Sequence, residues 1–454
     1  MTVVSLRELH RCFEGAVPAV IATASGDGTP NVTYLSRVRA VDDERVALSN
    51  QFFSKTVRNL TENPRASVLI IDPQTYRQYR LTLVFERTER RGAIFDRLRE
   101  DVDTVAAVTG MQHVFKLRAA DIYRVTEIEQ ISGSTGPYAG EQESRGGTEA
   151  LGELTARLSR CADLDAIVTT TVNGLAELLG FEHSLLLLLD EQGRQLYTIA
   201  SHGYPAEGVG SEVPMGEGVI GRAAERGAPI RINNMRQLVK YGMSVRRSYE
   251  RHGEISPGWE IAVPDLPDAE SRMAVPGFAL GQLVGVLMVE SPQSVAFTAA
   301  DETNLSVLAS VVANAIEAER ARERDTDDAA AASGTARAAA PDATPSTHVR
   351  FFAVDGSTFL DGDYLIKGVA GRILWSLLGH YEREGRTEFT NKEVRLDPTL
   401  ELPEFRDNLD SRLLLLKRRL DERAAAVRIE KTGRGRFRIV VSTPLRLDDA
   451  GGPA

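Results

Sequence analysis

The stretch from residue 17 to residue 85 constrains the fold most, because short apolar runs alternate in it with turn signals. The first three apolar runs and the two turns between them are residues 17–24, Asp27-Gly28, 32–41, Asp42-Asp43 and 46–48. This spacing predicts a meander of strands and a hairpin. A polar segment, residues 57–62, then predicts one or two helical turns, which Asn63-Pro64 ends because the residue before proline avoids the helical region. Two further β-rich runs, residues 66–71 and 77–85, complete a sheet-forming unit.

The start of the polar segment has the residue types of a phosphate site. Ser54 can cap the helix, and the backbone N–H groups of a first helical turn favour an anion. Lys55 adds a full positive charge, and Thr56 and Arg58 follow it. The sequence therefore predicts that this turn holds a phosphate group.

The motifs DGTPNV, ALSN, SKT, NPRA and RQYRL occur in this order. Over about residues 8–130 the chain resembles the flavin-binding split barrel of the pyridoxamine 5'-phosphate oxidase-like superfamily. The resemblance implies FMN, or a related flavin or deazaflavin, bound at a homodimer interface. The family often has an arginine where this chain has Ser54. An empty barrel kept as a dimerisation scaffold is the alternative. The positions that match the family's cofactor site are Thr33, Tyr34, Leu35, Ser36, Ser49, Asn50, Ser54, Lys55, Thr56 and Gln78.

Composition limits the class of protein. The chain has 454 residues, too many for one core, so about three domains are expected. Its formal net charge of -10 argues against a surface coated for nucleic acid, although one local basic patch remains compatible with it. The two cysteines, Cys12 and Cys161, are far apart, so neither a disulfide framework nor a metal site is predicted. No apolar stretch is long enough to span a membrane, and we expect a cytoplasmic protein.

A second unit is expected over residues 150–324. Residues 151–180 have helical leucine spacing, and a hairpin is predicted around Glu191-Gln192-Gly193. The segments GEGVIGRAAERGAPIRI, GQLVGVLMVES and FTAADE before a long helix resemble a GAF domain. The resemblance implies a ligand pocket or a dimer module, and the sequence does not identify the ligand.

Two connecting segments separate the units. Residues 133–149 are rich in Gly, Ser and charge, and we interpret them as a linker after a first domain of residues 1–132. Residues 325–348 are mostly Ala, Pro, Asp and Thr without a large apolar side chain. They cannot bury a core and are predicted to form an unstructured tether.

Residues 349–445 form a third predicted unit. Short β runs precede an amphipathic helix at residues 369–385, and a second helix is predicted to be capped by Thr390 or Asn391. A third helix, within residues 402–424, and a hairpin that turns at residues 433–435 follow. This order resembles the winged-helix output domain of response-regulator transcription factors, in which the third helix enters the major groove. The fold class expected for the whole chain is thus multidomain α+β, with a split β-barrel, a GAF α/β sandwich and a winged helix.

The charges in this unit support DNA binding in part. From Glu404 to Arg438 there are eleven Lys or Arg and six Asp or Glu residues, a net charge of +5. Leu409, Leu413, Leu416 and Leu420 form the predicted core stripe of the third helix. Its opposite face carries acids and leucines, which read base edges poorly, so packing on a protein, such as the chain's own GAF domain, is the alternative. The predicted DNA contacts are Ser411, Arg412, Arg418, Arg419, Lys431, Arg434 and Arg436.

These features together predict a one-chain sensor and regulator. A flavin-type barrel and a GAF domain would detect a small molecule or a redox state, and the winged helix would bind DNA as part of a dimer. An FMN-dependent oxidoreductase of the pyridoxamine 5'-phosphate oxidase-like type, regulated by the other two units, is one alternative. A non-enzymatic interaction scaffold is another. No barrel residue stands out as a general acid or base, so catalytic residues remain unassigned.

Overall fold

The computed structural model describes most of the chain. The described residues are 5–14, 18–35, 37–51, 54–72, 77–108, 116–132, 146–190, 192–233, 261, 263–329, 346–400 and 409–449. Most of the two predicted linkers, residues 133–145 and 330–345, lies outside them. Ser36 and the first part of the predicted third helix, residues 402–408, also lie outside the described residues.

The N-terminal unit is a seven-stranded antiparallel sheet in the order β2-β1-β5-β6-β7-β4-β3. Its strands are β1 (Ala19–Ala24), β2 (Pro30–Leu35), β3 (Val38–Ala40), β4 (Arg45–Asn50), β5 (Arg65–Ile71), β6 (Gln78–Glu89) and β7 (Ala119–Ser132). Alternate side chains of β1 and β5 point into one core, with Ile21 and Val68 fully enclosed. Gly28 adopts φ 88° in the β1–β2 turn, a conformation that glycine tolerates. The predicted strands are therefore present, but they do not form a meander. The predicted run of residues 32–41 contains most of β2 and all of β3, which lie at opposite edges of the sheet, and the hairpin pairs are β1 with β2 and β3 with β4.

Helices flank this sheet. A 3-10 turn (His10–Glu14) packs beside β3 and β5, α1 (Ser54–Glu62) follows β4, and α2 (Ala93–Val108) lies between β6 and β7. Helix α1 begins at Ser54, about one turn before the polar segment of residues 57–62 for which helical turns are predicted. Its first residue is the predicted cap, Ser54, and it ends at Glu62, just before Asn63-Pro64, as predicted.

The central unit is a six-stranded sheet in the order β10-β9-β8-β13-β12-β11. Its strands are β8 (His183–Leu189), β9 (Gln195–His202), β10 (Glu212–Pro214), β11 (Ile230–Ile232), β12 (Ser271–Ala279) and β13 (Gln282–Ser291). Its helices are α3 (Gly147–Leu158), α4 (Leu164–Glu177), α5 (Gly218–Arg226) and α6 (Ala299–Ala329). The five consecutive leucines of β8 are all buried, because α3, α4 and α6 cover one face of the sheet and α5 covers the other.

Residues 151–180 form two helices instead of one continuous helix. Helix α3 ends at Leu158, and α4 restarts after Asp163, whose Oδ1 accepts a hydrogen bond from the Ala166 N–H at 2.9 Å. Asp163 is thus the N-cap of α4, and the leucine spacing of the sequence does not indicate it. Gly180, with φ 67°, ends the segment as expected.

Helix α6 is 31 residues long and extends five residues into the predicted tether. Alanine and the charged residues at its end favour helix, which explains this continuation. At the far end of the predicted tether, Thr347 and His348 already belong to a strand. The tether can therefore include at most residues 330–346. None of the helices in the described ranges is both long enough and apolar enough to cross a membrane.

In its described residues, the C-terminal unit contains two small sheets, three α-helices and a 3-10 turn (Pro398–Leu400). Strands β14 (Thr347–Phe352), β15 (Ser357–Leu360), β16 (Asp363–Ile366) and β20 (Leu445–Asp449) form one sheet, so this unit extends beyond both predicted boundaries, residues 349 and 445. The second sheet has the order β17-β19-β18, with β17 (Glu388–Thr390), β18 (Val427–Gly433) and β19 (Arg436–Val441). The helices of this unit are α7 (Gly368–Glu384), α8 (Asn391–Arg395) and α9 (Leu409–Glu422). Thr390 is the N-cap of α8 and forms a capping box with Glu393.

Candidate functional site

The first turn of α1 is fixed against β2. The Asn31 amide donates to Thr56 Oγ1 at 3.0 Å, and Thr56 is buried. Lys55 is exposed, one residue earlier, so its ammonium group is accessible at the N-terminus of the helix. The side chain of Ser54 lies outside the described part. This turn can therefore hold an anion through Lys55 and backbone N–H groups, whereas the Thr56 hydroxyl already accepts the hydrogen bond from Asn31.

Two other predicted cofactor contacts, Ser49 and Asn50, already form hydrogen bonds within the barrel. The Ser49 hydroxyl accepts from the Arg37 backbone N–H at 3.0 Å, and the Asn50 amide donates to Asp121 Oδ2 at 2.9 Å. Thr88 Oγ1 donates to the other oxygen of Asp121 at 2.7 Å. Burial raises the pKa of Asp121, although these two hydrogen bonds partly oppose the shift. Ser49 and Asn50 thus position strands, and a ligand would compete with bonds already made.

Strand β2 divides its predicted contacts between two faces. Leu35 is fully buried and Thr33 is half-buried, whereas Tyr34 is 66% exposed and Val32 is 65% exposed. Alternate residues of a strand point to opposite faces, so Thr33, Tyr34 and Leu35 cannot line one surface. Gln78, at the start of β6, is half-buried. Among the predicted cofactor contacts whose side chains the structure describes, Tyr34 and Lys55 are therefore the exposed ones that a flavin could reach.

The sheet of the central unit carries a polar cluster that sequence reasoning missed. The Tyr204 hydroxyl donates to Glu290 Oε2 at 2.8 Å, and the Leu266 N–H donates to the same oxygen at 3.1 Å. Arg272 lies 2.8 Å from the other oxygen of Glu290, and the His183 ring meets the Tyr204 ring edge-on at 5.5 Å. A carboxylate ending the apolar run of β13 was the signal that could have found it.

Burial controls the protonation of this cluster. It raises the pKa of Glu290, and the positive charge of Arg272 only partly opposes that shift. The pKa of Tyr204 is also raised, by burial and then by the negative charge of Glu290. Burial thus favours the protonated forms of Glu290 and Tyr204, which lie on the α5 side of the sheet.

The barrel and the central unit meet at a polar cavity of about 630 Å³. Each of three guanidinium groups that line it is paired, because Arg39 lies 3.1 Å from Asp101, Arg226 lies 3.1 Å from Glu100, and Arg231 lies 2.9 Å from Glu302. Arg226 also donates to Thr104 Oγ1 at 3.0 Å, which joins α5 to α2. The contacts of Arg226 with Glu100 and Thr104 therefore join the two units, whereas the pairs of Arg39 and of Arg231 each lie within one unit.

The C-terminal unit packs on the central unit through α9. Ser411 is fully buried and accepts a hydrogen bond from Arg320 of α6 at 2.8 Å. The Arg412 guanidinium lies over the Tyr197 ring of β9, 4.1 Å from the ring centroid. Glu422 accepts from the Gly208 N–H at 3.0 Å. The face of α9 opposite its leucine stripe therefore contacts the central unit of the same chain.

Ion pairs also join α9 to the central unit. Lys417 Nζ lies 2.8 Å from Asp165 Oδ2, while Arg418 bonds the other oxygen of Asp165 and donates to Thr169 Oγ1 at 2.7 Å. Burial alone would raise the pKa of Asp165, but the hydrogen bonds from Lys417 and Arg418 outweigh it and hold the pKa below its usual value. Asp165 is thus the acidic centre of the contact.

The basic hairpin β18–β19 extends the same contact. Lys431 lies 3.6 Å from Asp163, Arg434 lies 3.8 Å from Glu319, and Arg436 is exposed. A cavity of about 190 Å³ separates this hairpin from α4 and α6. Arg419 is buried differently, because it faces its own unit and donates to the Leu365 carbonyl at 2.9 Å. Of the seven predicted DNA contacts, Ser411, Arg412 and Arg419 are buried here, whereas Lys431, Arg434 and Arg436 of the hairpin are exposed.

Two family models match parts of the chain. Residues 6–126 match the model of pyridoxamine 5'-phosphate oxidase, and residues 161–317 match the model of the GAF domain. The chain contains both modules. These matches confirm the two resemblances noted in the sequence, a split barrel followed by a GAF domain, and the central unit is called the GAF domain below.

Individual relatives cover single modules. An uncharacterized protein of Methanocaldococcus jannaschii is 28% identical over 137 residues, which is 30% of this chain and 84% of that protein. An FMN-binding protein from Syntrophomonas wolfei subsp. wolfei is 17% identical, covers 28% of this chain and 85% of its own, and has a TM-score of 0.24. The GAF domain of an Acinetobacter phosphoenolpyruvate-protein phosphotransferase is 21% identical, covers 38% of this chain and 93% of its own, and has a TM-score of 0.30.

Proposed function

We propose that this protein is a one-chain sensor and regulator whose C-terminal unit is a winged helix that binds DNA. The observation that carries the proposal is the order of elements in that unit. A small sheet is followed by α7, α8 and α9, and then by the hairpin β18–β19 with Lys431, Arg434 and Arg436 around its turn. A third helix followed by a basic hairpin is the arrangement with which winged helices contact the major groove and the adjacent phosphates.

The barrel would serve as a flavin-dependent input. Lys55 at the start of α1 supplies a cation for the phosphate of FMN or of a related flavin or deazaflavin. The exposed Val32 and Tyr34 on β2 supply an apolar surface that a second copy of the chain would cover in a homodimer. A flavin would supply redox chemistry, while these residues would hold and shield it. A symmetric dimer would also present two C-terminal units to two half-sites.

The experiment measures DNA binding by the full chain at several salt concentrations, with fluorescence anisotropy as the signal. Replacing both Arg434 and Arg436 by Ala should weaken binding to every sequence alike, because phosphates carry no base information. The slope of log affinity against log salt should fall by about two, since each neutralised phosphate contributes roughly 0.9. Arg80→Ala with Arg124→Ala, two exposed arginines of the barrel, is the matched control. An unchanged slope in the hairpin variant contradicts the proposal.

A flavin-dependent oxidoreductase is the second candidate, favoured by the match of residues 6–126 to pyridoxamine 5'-phosphate oxidase. It predicts that the flavin-loaded chain turns over a reductant with oxygen many times, without any need for DNA. A regulator needs only one reduction or binding event for each response. Multiple turnovers in a chain that shows no salt-dependent DNA binding would therefore favour the enzyme.

A further inference from the structure

We infer that the structure represents a masked state, in which the GAF domain covers the surface of α9 that would contact DNA and places carboxylates beside the cations of the hairpin. This inference rests on the proposed function and adds its regulation. Its basis is that one face of α9 contacts the GAF domain over its whole length, from Ser411 to Glu422. A helix in this position cannot enter a major groove at the same time.

The apolar part of the contact sets its geometry. Leu414 and Leu415 lie opposite the leucine stripe of α9, yet both are buried. Gly210, in the GAF segment before β10, lies against Leu415 and against Ile366 of β16. In the isolated C-terminal unit these leucines would face water, which is unfavourable for a DNA-reading helix and favourable for one that docks on a protein.

The polar part places carboxylates where phosphates would otherwise lie. Lys417 and Arg418 share Asp165, while Lys431 and Arg434 approach Asp163 and Glu319. Asp163 and Asp165 stand at the first turn of α4, and Glu319 lies on α6. Three GAF carboxylates thus neutralise four of the cations that would neutralise DNA.

The strength of the mask suits a reversible switch. Ion pairs that solvent reaches contribute only about 0.2–1 kcal/mol each, and Lys417, Lys431 and Arg434 remain partly exposed. DNA presents a denser array of negative charge than three carboxylates do, so it competes for the same cations. We therefore expect DNA and the GAF domain to exclude each other from this surface.

The first test compares the DNA affinity of full-length chains. Asp165→Asn combined with Glu319→Gln removes the carboxylates of the three ion pairs that cross the contact, and also that of the Arg322–Glu319 pair within α6. It should tighten DNA binding by about threefold or more, at about 0.2–1 kcal/mol for each pair that crosses the contact. The control is Asp268→Asn combined with Glu153→Gln, which makes the same change in net charge on exposed GAF residues outside the contact. The control corrects for the general gain in attraction to DNA.

The second test reads the contact without DNA. Ser411→Cys places a thiol at a fully buried position, and its labelling by a maleimide is followed by mass spectrometry of that peptide. The thiol should react several-fold faster when Asp165→Asn and Glu319→Gln are also present. An unchanged labelling rate contradicts the inference, because the carboxylates would then not hold the contact.

The two tests separate the inference from the function beneath it. Equal DNA affinity of the wild type, the interface variant and the control overturns the masking and leaves DNA binding in place. If no chain binds DNA at low ionic strength, although the introduced thiol labels freely, DNA binding itself fails and the masking fails with it. Faster labelling together with tighter binding than the control supports both.

Discussion

Lys55 and Arg418 are two cations that the sequence predicts to contact a ligand, and their surroundings in the structure differ. Lys55 is exposed at a helix start, as the local pattern of Ser54, Lys55 and Thr56 predicts. Arg418 instead bonds Asp165, which lies 253 residues earlier in the chain. Cap and charge patterns are local properties that sequence contains, whereas the partner of a long side chain depends on which domain packs beside it.

At this scale we expect Lys55→Ala to weaken FMN binding by about tenfold to a hundredfold, because a charge-assisted contact is worth roughly 1.5–3 kcal/mol. Fluorescence titration of FMN into the full chain measures the effect. Lys392→Ala, the same charge change in the C-terminal unit, should leave FMN affinity unchanged. Equal affinity of the wild type and the Lys55 variant would exclude this residue from the site.

Among the elements, α9 shows what periodicity predicts and what it leaves open. The stripe of Leu409, Leu413, Leu416 and Leu420 is buried in its own unit, as predicted. The second apolar pair, Leu414 and Leu415, indicated a further partner, and packing on the GAF domain was the alternative that the structure contains. The sequence did not predict the break between α3 and α4, because the capping role of Asp163 depends on the hydrogen bond that it accepts from the Ala166 N–H.

Helix α8 offers a prediction for a single element. It is five residues long and depends on the capping box between Thr390 and Glu393, so Thr390→Ala should destabilise the C-terminal unit by about 1 kcal/mol. Chemical denaturation, followed through the transition of that unit, measures the change. Thr303→Ala, at an exposed position within α6, should be neutral or slightly stabilising, because alanine favours helix interiors. A Thr390→Ala variant as stable as the control would mean that the cap does not stabilise α8.

For the whole molecule, the order of units followed from the sequence, whereas their contacts did not. Apolar patterns and motif order indicated a barrel, a GAF domain and a third unit. The pairing of Arg226 with Glu100 and of Lys417 with Asp165 joins units through residues that have no special local pattern. Contacts between domains depend on shape and on charges far apart in sequence, and a single chain read without relatives does not reveal them.

We expect the chain to be a dimer that β2 helps to form. Val32→Asp should raise the dimer dissociation constant by at least about tenfold, because a twofold interface would bury two unpaired carboxylates. Sedimentation velocity over a range of concentrations measures it. Val354→Asp places the same charge at an exposed valine of the C-terminal unit and should not change assembly. A chain that is monomeric before any substitution contradicts the prediction.

The contact of Ser411 with Arg320 joins two parts of one polypeptide, and this fixes the molecularity of the two equilibria described above. Closure of α9 onto the GAF domain is unimolecular, so its extent does not depend on protein concentration. The proposed pairing through β2 would be bimolecular and would weaken on dilution. Dilution that dissociates the proposed dimer would thus leave a monomer in which α9 is still closed onto the GAF domain.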